Sequence, residues 1–226
     1  MTAGRASSSV ARSPVAGLSF GAGHPLLNFI NTREERRSDT PREFLMAGSD
    51  VALAAARLGL LSPAEADALK RDAAAHPRRS WRRLEVLRGF RETLYRLVVA
   101  ARRGAPADPG DLGRLNAALA EGQARRQLVF DGARYVLRDV AGADPWDRIR
   151  WALARHAADL LASDRLARVK ACQGDGCGWL FIDGSRTRKR VWCSMDVCGN
   201  RAKARRFYQR HRGRRSRSRI REGGAR

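Results

Sequence analysis

Four cysteines, Cys172, Cys177, Cys193 and Cys198, stand within 27 residues, and the chain has no others. They are spaced C-x4-C, then fifteen residues, then C-x4-C. Two close pairs separated by a longer loop can deliver four sulfurs to one tetrahedral ion, each pair from a tight turn. Gly174, Gly176 and Gly178 surround the first pair and Gly199 follows the second, so the backbone can wrap an ion without a Cβ clash. Two disulfides are the competing reading, and they require an oxidising compartment. A catalytic thiol is a third, but it leaves the paired spacing unexplained, and no Cys stands beside an obvious base. We read the set as ligands of one structural zinc ion. Assembling such a site contributes on the order of 10 kcal/mol to a module too small to hold itself together otherwise.

The surroundings of the cysteines suggest what the module does. Trp179 and Trp192 are expected to form a mini-core that shields the metal. Gly178–Asp183 and Val191–Trp192 are aromatic and β-branched enough for two short strands, joined by a loop carrying Arg186, Arg188, Lys189 and Arg190. After Cys198, the residues Ala204, Phe207, Tyr208 and His211 recur at i, i+3, i+4 and i+7, a helix with one apolar face to pack on the zinc turn. Arg201, Lys203, Arg205, Arg206, Arg210 and Arg212 fill the remaining arc, with no acid among them. Solvated helix faces usually mix signs. An unbroken basic front suits a phosphate-lined groove.

The charge of the whole chain points the same way. Net charge is +22, and only four of the 45 basic residues are Lys. Part of the Arg excess is what a GC-rich genome writes by default. Its distribution is more informative: Cys172 to Arg226 holds 16 basic and 4 acidic residues, over half the net charge in a quarter of the chain. Such a field concentrates polyanions. No apolar run approaches the ~20 residues of a membrane span, and Met1–Gly17 has no apolar stretch suited to an export signal. A cytoplasmic protein with no membrane partner is expected.

The metal module needs a scaffold, and the hydrophobic content of 43% is enough to build one. Residues 1–19 read as a disordered tail and 20–168 as a helical domain. Pro25–Ile30 suits one helical turn or a strand. Ser49 is expected to open a helix that stops at Gly59. Ser62-Pro63 and Glu65 open the next, and Pro77 a long one with Leu84, Leu87, Phe90, Leu94, Leu97 and Val98 on one face. Asp108-Pro109 and Asp144-Pro145 open two more. In the last, Trp146, Ile149, Leu153, Ala157 and Leu160 share a face with His156, read as a hydrogen-bonded core histidine. Asp131-Gly132 suits the positive-φ positions of a tight hairpin turn within 126–138. The fold class is mainly α with a small β-hairpin, followed by a treble-clef or ribbon-like zinc finger (169–212) ending in a basic helix. A basic disordered tail (213–226) completes the chain.

At Cys198-Gly199-Asn200-Arg201 the stretch CGWLFIDGSRTRKRVWCSMDVCGNRAKARRFYQRHR closely resembles the CGNR zinc finger, including the x4 spacing. Gly23–Thr32 (GHPLLNFINT) resembles the opening of the helical ABATE domain that usually precedes this finger, with Asn28 where Asp is common. The resemblance implies zinc on the four cysteines and a stress-linked bacterial transcription regulator acting on DNA. Within that frame Asn200 falls on the apolar side of the helix and is expected to close hydrogen bonds around the zinc turn. Arg201, at the edge of the basic arc, serves either structure or nucleic acid, and Ser194 is the expected N-cap. The leading reading is a nucleoid-associated, zinc-dependent DNA-binding regulator whose helical domain senses a small-molecule effector or associates as a homodimer. The alternative is an RNA- or ribosome-associated zinc module. An enzyme using a site near His24, Asn28, Asn31 and Thr32 is the remote alternative, since no catalytic signature stands out.

Overall fold

A computed structural model describes residues 13–140 and 142–209. Five helices begin on proline: α1 (Pro25–Ile30), α3 (Pro63–Ala75), α4 (Pro77–Arg102), α5 (Pro109–Ala124) and α6 (Pro145–Leu161). Proline's φ is already helical, and the N–H it lacks has no intrahelical partner in a first turn. Side chains just ahead complete four of these ends, α4 being the exception. Ser62 Oγ accepts from Glu65 N–H at 3.3 Å while Glu65 Oε2 accepts from Ser62 N–H at 2.8 Å. Asp108 caps Asp111 N–H at 2.9 Å and Asp144 caps Trp146 N–H at 3.0 Å. His24 Nδ1 accepts from Leu26 N–H at 3.3 Å, which makes the Pro25–Ile30 segment a helix and not a strand. The sixth, α2 (Gly48–Arg57), starts one residue before Ser49. Its end is held by Asp50, whose Oδ2 accepts from the N–H groups of Met46 and Ala47 at 2.8 and 2.9 Å. An acid inside the first turn thus replaces the expected serine cap.

Helices α4, α5 and α6 pack side by side, α1 crosses α4 and α6, and the α2–α3 pair lies against α4 and α6. Leu84, Leu87, Phe90, Leu94, Leu97 and Val98 of α4 are buried, as are Trp146, Ile149, Leu153, Ala157 and Leu160 of α6. The half-buried His156 presents its ring to the edge of His24, centroids 5.6 Å apart. Residues 13–19 are not a tail. Val15 and Leu18 are buried, and Arg57 donates to their carbonyl oxygens at 2.7 and 3.0 Å, so apolar burial orders the segment. The rest of the expected tail, the basic segment 213–226, and Arg210, His211 and Arg212 lie outside the described residues.

Three two-stranded antiparallel ribbons complete the fold: β1 (Arg33–Glu34) with β2 (Arg42–Glu43), β3 (Arg126–Phe130) with β4 (Tyr135–Asp139), and β5 (Val169–Ala171) with β6 (Leu180–Ile182). The β3–β4 turn is wider than a two-residue one. Of its residues only Gly132 takes positive φ, at 98°, while Asp131 Oδ1 accepts from Ala133 and Arg134 N–H at 3.1 and 3.0 Å. In the cysteine module, Val191–Trp192 forms no strand. Strand β6 pairs instead with residues upstream of Cys172, because that register buries Val169, Leu180 and Phe181. Val191 contributes one backbone contact, its carbonyl accepting from Gln173 N–H at 2.9 Å.

The boundary expected at 168/169 is a packed seam. Ile182 N–H donates to Ala22 C=O at 2.9 Å, and Cys172, Leu180 and Phe181 share one continuous core with Leu26, Leu27 and Leu94. Behind the seam lies a buried ion network. Arg91, 1% exposed, grips Glu43 with both terminal nitrogens at 2.7 and 2.5 Å and donates to Thr32 Oγ1 at 3.0 Å. Its Nε reaches Glu92 at 2.9 Å, and Glu92 in turn accepts from Arg36 at 2.5 Å. Burial alone would raise the pKa of Glu43 and Glu92; hydrogen bonds from Arg91 and Arg36 outweigh it and hold both below the usual range.

His24 links this fold to pH. Burial, then the nearby His156 and Arg165, lowers its pKa from 6.5 to about 4. The unfolded chain therefore takes up this proton first. The stability due to neutral His24 is intact above about pH 6.5 and drains as pH falls toward 4. His24→Gln keeps a cap acceptor without titrating. The difference in unfolding free energy between wild type and this variant is expected to shift by about 1–3 kcal/mol between pH 7 and 4.5, at wild type's expense. A difference that stays constant in urea titrations across that range would refute the linkage.

Candidate metal centre and its seam with the helical domain

The four Sγ atoms lie within 4.8 Å of one another, with Cys177–Cys193 at 3.8 Å and Cys193–Cys198 at 3.7 Å. A disulfide needs about 2.05 Å, and all four are free thiols. A tetrahedral ion with bonds to sulfur of about 2.3 Å has sulfur–sulfur edges of about 3.8 Å. The cluster therefore fits such an ion and not a pair of disulfides.

Local backbone chemistry aims the sulfurs. Cys172 directly follows β5, and Cys177 closes a turn in which Gly176 and Gly178 sit at φ of 68° and 70°. The N–H groups of Gly174 and Cys193 both point at Cys172 Sγ, at 3.3 Å. A Cβ on Gly174 would stand 2.8 Å from Cys198 Sγ and 3.4 Å from Cys172 Sγ, inside the cluster. Cys198 lies in one wide helical turn, Met195–Gly199, where Gly199 N–H reaches back five residues to Ser194 C=O at 3.1 Å. Ser194 Oγ accepts from Val197 N–H at 3.3 Å. Trp179 and Trp192 are half-buried against the core beside the cysteines.

Four thiols this close cannot all ionise unaided. Cys172 is held far below the usual thiol range by hydrogen bonds from Cys177 and Cys193 and from backbone N–H groups. Donating a hydrogen bond to that thiolate raises Cys177 to about 12 and raises Cys193 as well, with burial and the charge on Cys172 adding to both. Cys198 is raised first by burial and then by Cys172. A cation at the centre removes this repulsion and lets every sulfur bind as thiolate.

The helical domain grips this centre through Asn31, from the GHPLLNFINT segment, and through Arg36 and Arg37, which no sequence pattern singled out. Asn31 Nδ2 donates to Leu180 C=O at 2.8 Å and its Oδ1 accepts from Leu180 N–H at 3.0 Å, a two-point pairing with β6. Arg36 and Arg37 N–H donate to Cys177 and Gly176 C=O at 3.1 and 3.0 Å. The Arg37 guanidinium donates to Gly174 C=O at 2.9 Å and also to Cys172 C=O. Arg36 is anchored by Glu92 and lies over the Tyr95 ring at 4.2 Å. The remaining polar residues of the GHPLLNFINT segment are engaged too. Asn28 Oδ1 accepts from Ala22 N–H at 2.9 Å, and Thr32 Oγ1 donates to Phe29 C=O at 2.7 Å. These pairings span up to 149 residues and leave no local signature.

The basic residues divide into two groups. Arg190 is built into the module: Nε donates to Trp192 C=O at 2.8 Å, Nη2 to Cys193 C=O, and the guanidinium lies over the Phe181 ring at 4.6 Å. Two of its three guanidinium nitrogens are thus engaged inside the module, unlike the nitrogens of a side chain held out for phosphate. Its N–H also joins the bonds around Asp183, whose carboxylate takes Lys170 Nζ at 2.7 Å and Ser185 Oγ at 2.6 Å. Lys170 first, then Ser185, hold Asp183 below the usual carboxylate range. Arg186, Arg188 and Lys189 are exposed on the loop, with Arg188 at φ 50°. Helix α7 (200–209) carries exposed Arg201, Lys203, Arg205 and Arg206. Acids from outside the helix meet two of them, Arg205 with Asp175 at 2.6 Å and Arg201 with Glu35 at 3.9 Å. The apolar face of α7 does not pack on the cysteine turn: Phe207 is 56% and Tyr208 68% exposed, their rings 5.9 Å apart. The knuckle it was expected to cover already packs on the helical domain through Arg36, Arg37 and Asn31. Asn200 is likewise exposed, not on a buried side, although its Nδ2 does bond the turn, reaching Asp196 C=O at 3.1 Å.

Two substitutions probe this arrangement. Gly174→Ala keeps every sulfur but crowds the cluster, and is expected to release metal to a chelator about tenfold faster than wild type; equal rates would refute the crowding. Asn31→Ala strands a buried backbone N–H and C=O, and is expected to cost about 2–4 kcal/mol in urea unfolding and to speed proteolysis at 164–172. Among known families, the CGNR zinc finger matches residues 168–211, and ABATE, whose description reads "Putative stress-induced transcription regulator", matches residues 23–164. No curated protein matches the chain. With the two matches meeting at the packed seam, the chain belongs to the ABATE family and carries a CGNR zinc finger at its C-terminal end.

Proposed function

We propose that this protein is a zinc-dependent transcription regulator that binds DNA through its C-terminal module. One zinc ion on Cys172, Cys177, Cys193 and Cys198 closes the module. The observation that carries the reading is the position of α7, which leaves directly from the last cysteine and holds Arg201, Lys203, Arg205 and Arg206 exposed in one turn after another. The ion thereby sets the direction of a row of cations. The loop residues Arg186, Arg188 and Lys189 supply a second set of phosphate contacts, and Arg210 lies on the sequence just beyond. The helical domain acts as effector sensor or association unit, and the protein works in the cytoplasm, on the nucleoid. In this reading it acts as a binding protein and not as a catalyst, which is supported by the hydrogen bonds that His24 Nδ1, Asn28, Asn31 and Thr32 make to backbone partners or Arg91.

The exposure of Phe207 and Tyr208 favours a second reading, in which unpaired bases of RNA stack on them beside the basic residues. The two readings separate in one titration series. Fluorescence anisotropy at a single stated salt concentration should rank duplex DNA above structured RNA; the reverse order selects the second.

In the same assay, Arg206→Ala is expected to weaken binding about equally on all duplex sequences and to lower the salt slope by about one unit. Asp175→Asn should act oppositely, tightening binding about two- to threefold at low salt by releasing Arg205 from its 2.6 Å partner. Unchanged affinity after removing Arg201, Lys203, Arg205 and Arg206 together would sink the nucleic-acid reading.

A further inference from the structure

The β3–β4 hairpin projects from the bundle and packs chiefly on itself. Its register sets Leu128 opposite Leu137 and Phe130 opposite Tyr135. Alternation along the strands then puts all four side chains on one face. They are 64%, 55%, 59% and 71% exposed, and the Phe130 and Tyr135 rings touch with centroids 5.3 Å apart. A solvent-facing ribbon is normally polar on its outer side, and an isolated two-stranded hairpin is marginal in water.

Area and charge both select the occupant. At about 150–250 Å² for a full side chain of this size, the four leave roughly 500 Å² of mostly apolar surface, as large as monomers usually expose. Two such faces bury about 1,000 Å² together, the lower bound for a specific interface. The chain carries +22, so copies repel over most of their surface. The hairpin is nearly neutral, with Arg126, Arg134 and Arg138 set against Asp131 and Asp139. Asp139 is further matched by Arg148 and Arg155, both at 3.7 Å.

We propose that this face is a homodimer interface, in which two copies pack their hairpins face to face about a two-fold axis. Such a contact is self-complementary and closed, so it stops at two chains. It does not rest on nucleic-acid binding, and its test contains no DNA.

Sedimentation equilibrium of the full, metal-loaded chain between about 1 and 100 µM should move from one-chain to two-chain mass. The double variant Leu128→Ser/Tyr135→Ser should raise the dissociation constant at least about thirtyfold, while Leu112→Ser, exposed on α5, leaves it unchanged. A one-chain mass throughout, or a dimer equally tight in the double variant, overturns the proposal. Since the double variant could unsettle the hairpin itself, amide exchange of wild type supplies a second reading. Protection of 126–139 should rise with protein concentration, and protection there that is independent of concentration overturns the proposal as well.

Discussion

Four sulfurs confined within 4.8 Å are an electrostatic problem before they are a binding site. One thiolate in such a cluster is stabilised by its neighbours' S–H groups, but each further ionisation meets the charge already present. Hydrogen bonds from its neighbours thus depress Cys172, while donating those bonds raises Cys177 and Cys193, and burial first, then Cys172, raises Cys198. The arrangement is favourable only around a cation, and its edges of 3.7 and 3.8 Å suit one of the size zinc presents to sulfur. Among the described residues the C-terminal module adds to that cluster two three-residue strands, one wide turn and the largely exposed helix α7, too little buried apolar area to fold alone. The described residues from 169 to 209 take their geometry from the cluster and from the surface it rests on.

That surface is unusually polar for a domain seam. Two loops of the helical domain reach the knuckle, one through Asn31 and the other through the backbone of Arg36 and Arg37. Behind them the Arg36–Glu92–Arg91–Glu43 chain fixes the segment between α1 and α2 to α4. Each link is a charge-assisted hydrogen bond in a dry setting, where leaving one partner unpaired costs more than the bond itself contributes. The chain thus joins the long helix α4 to Arg36, whose backbone holds Cys177. The same route explains why the polar residues of the GHPLLNFINT segment are buried: they are seam and cap residues, and α1 is the element that presents them.

With the knuckle occupied by the helical domain, the apolar side chains Phe207 and Tyr208 of α7 stay largely exposed. Its aromatic pair faces solvent, and its arginines meet acids from Glu35 and Asp175 instead of acids on the helix. A helix built this way keeps its cations at the surface but partly shielded, so that a polyanion must displace weak, exposed ion pairs to engage them. Arg190 shows the contrast. Within the same basic loop, a guanidinium that can reach two carbonyls and an aromatic ring becomes part of the structure.

Much of this was legible from residue order alone. Proline with a capping Ser or Asp announces three of the helices, and the three- and four-residue apolar steps of α4 and α6 name their buried faces, because capping and amphipathicity are local properties. The cysteine spacing and the CGNR signature identify the metal cluster for the same reason, since each half of the site comes from one turn. What the chain order did not reveal was decided at long range. Val169–Ala171 displaced Val191–Trp192 as the partner of β6, Asn31 found a backbone 149 residues away, and residues 13–19 joined the core through Val15 and Leu18. The apolar stripe of α7 was correctly periodic yet stayed exposed. Periodicity states which side chains share a face, but only the packed structure determines whether any surface remains for that face to cover.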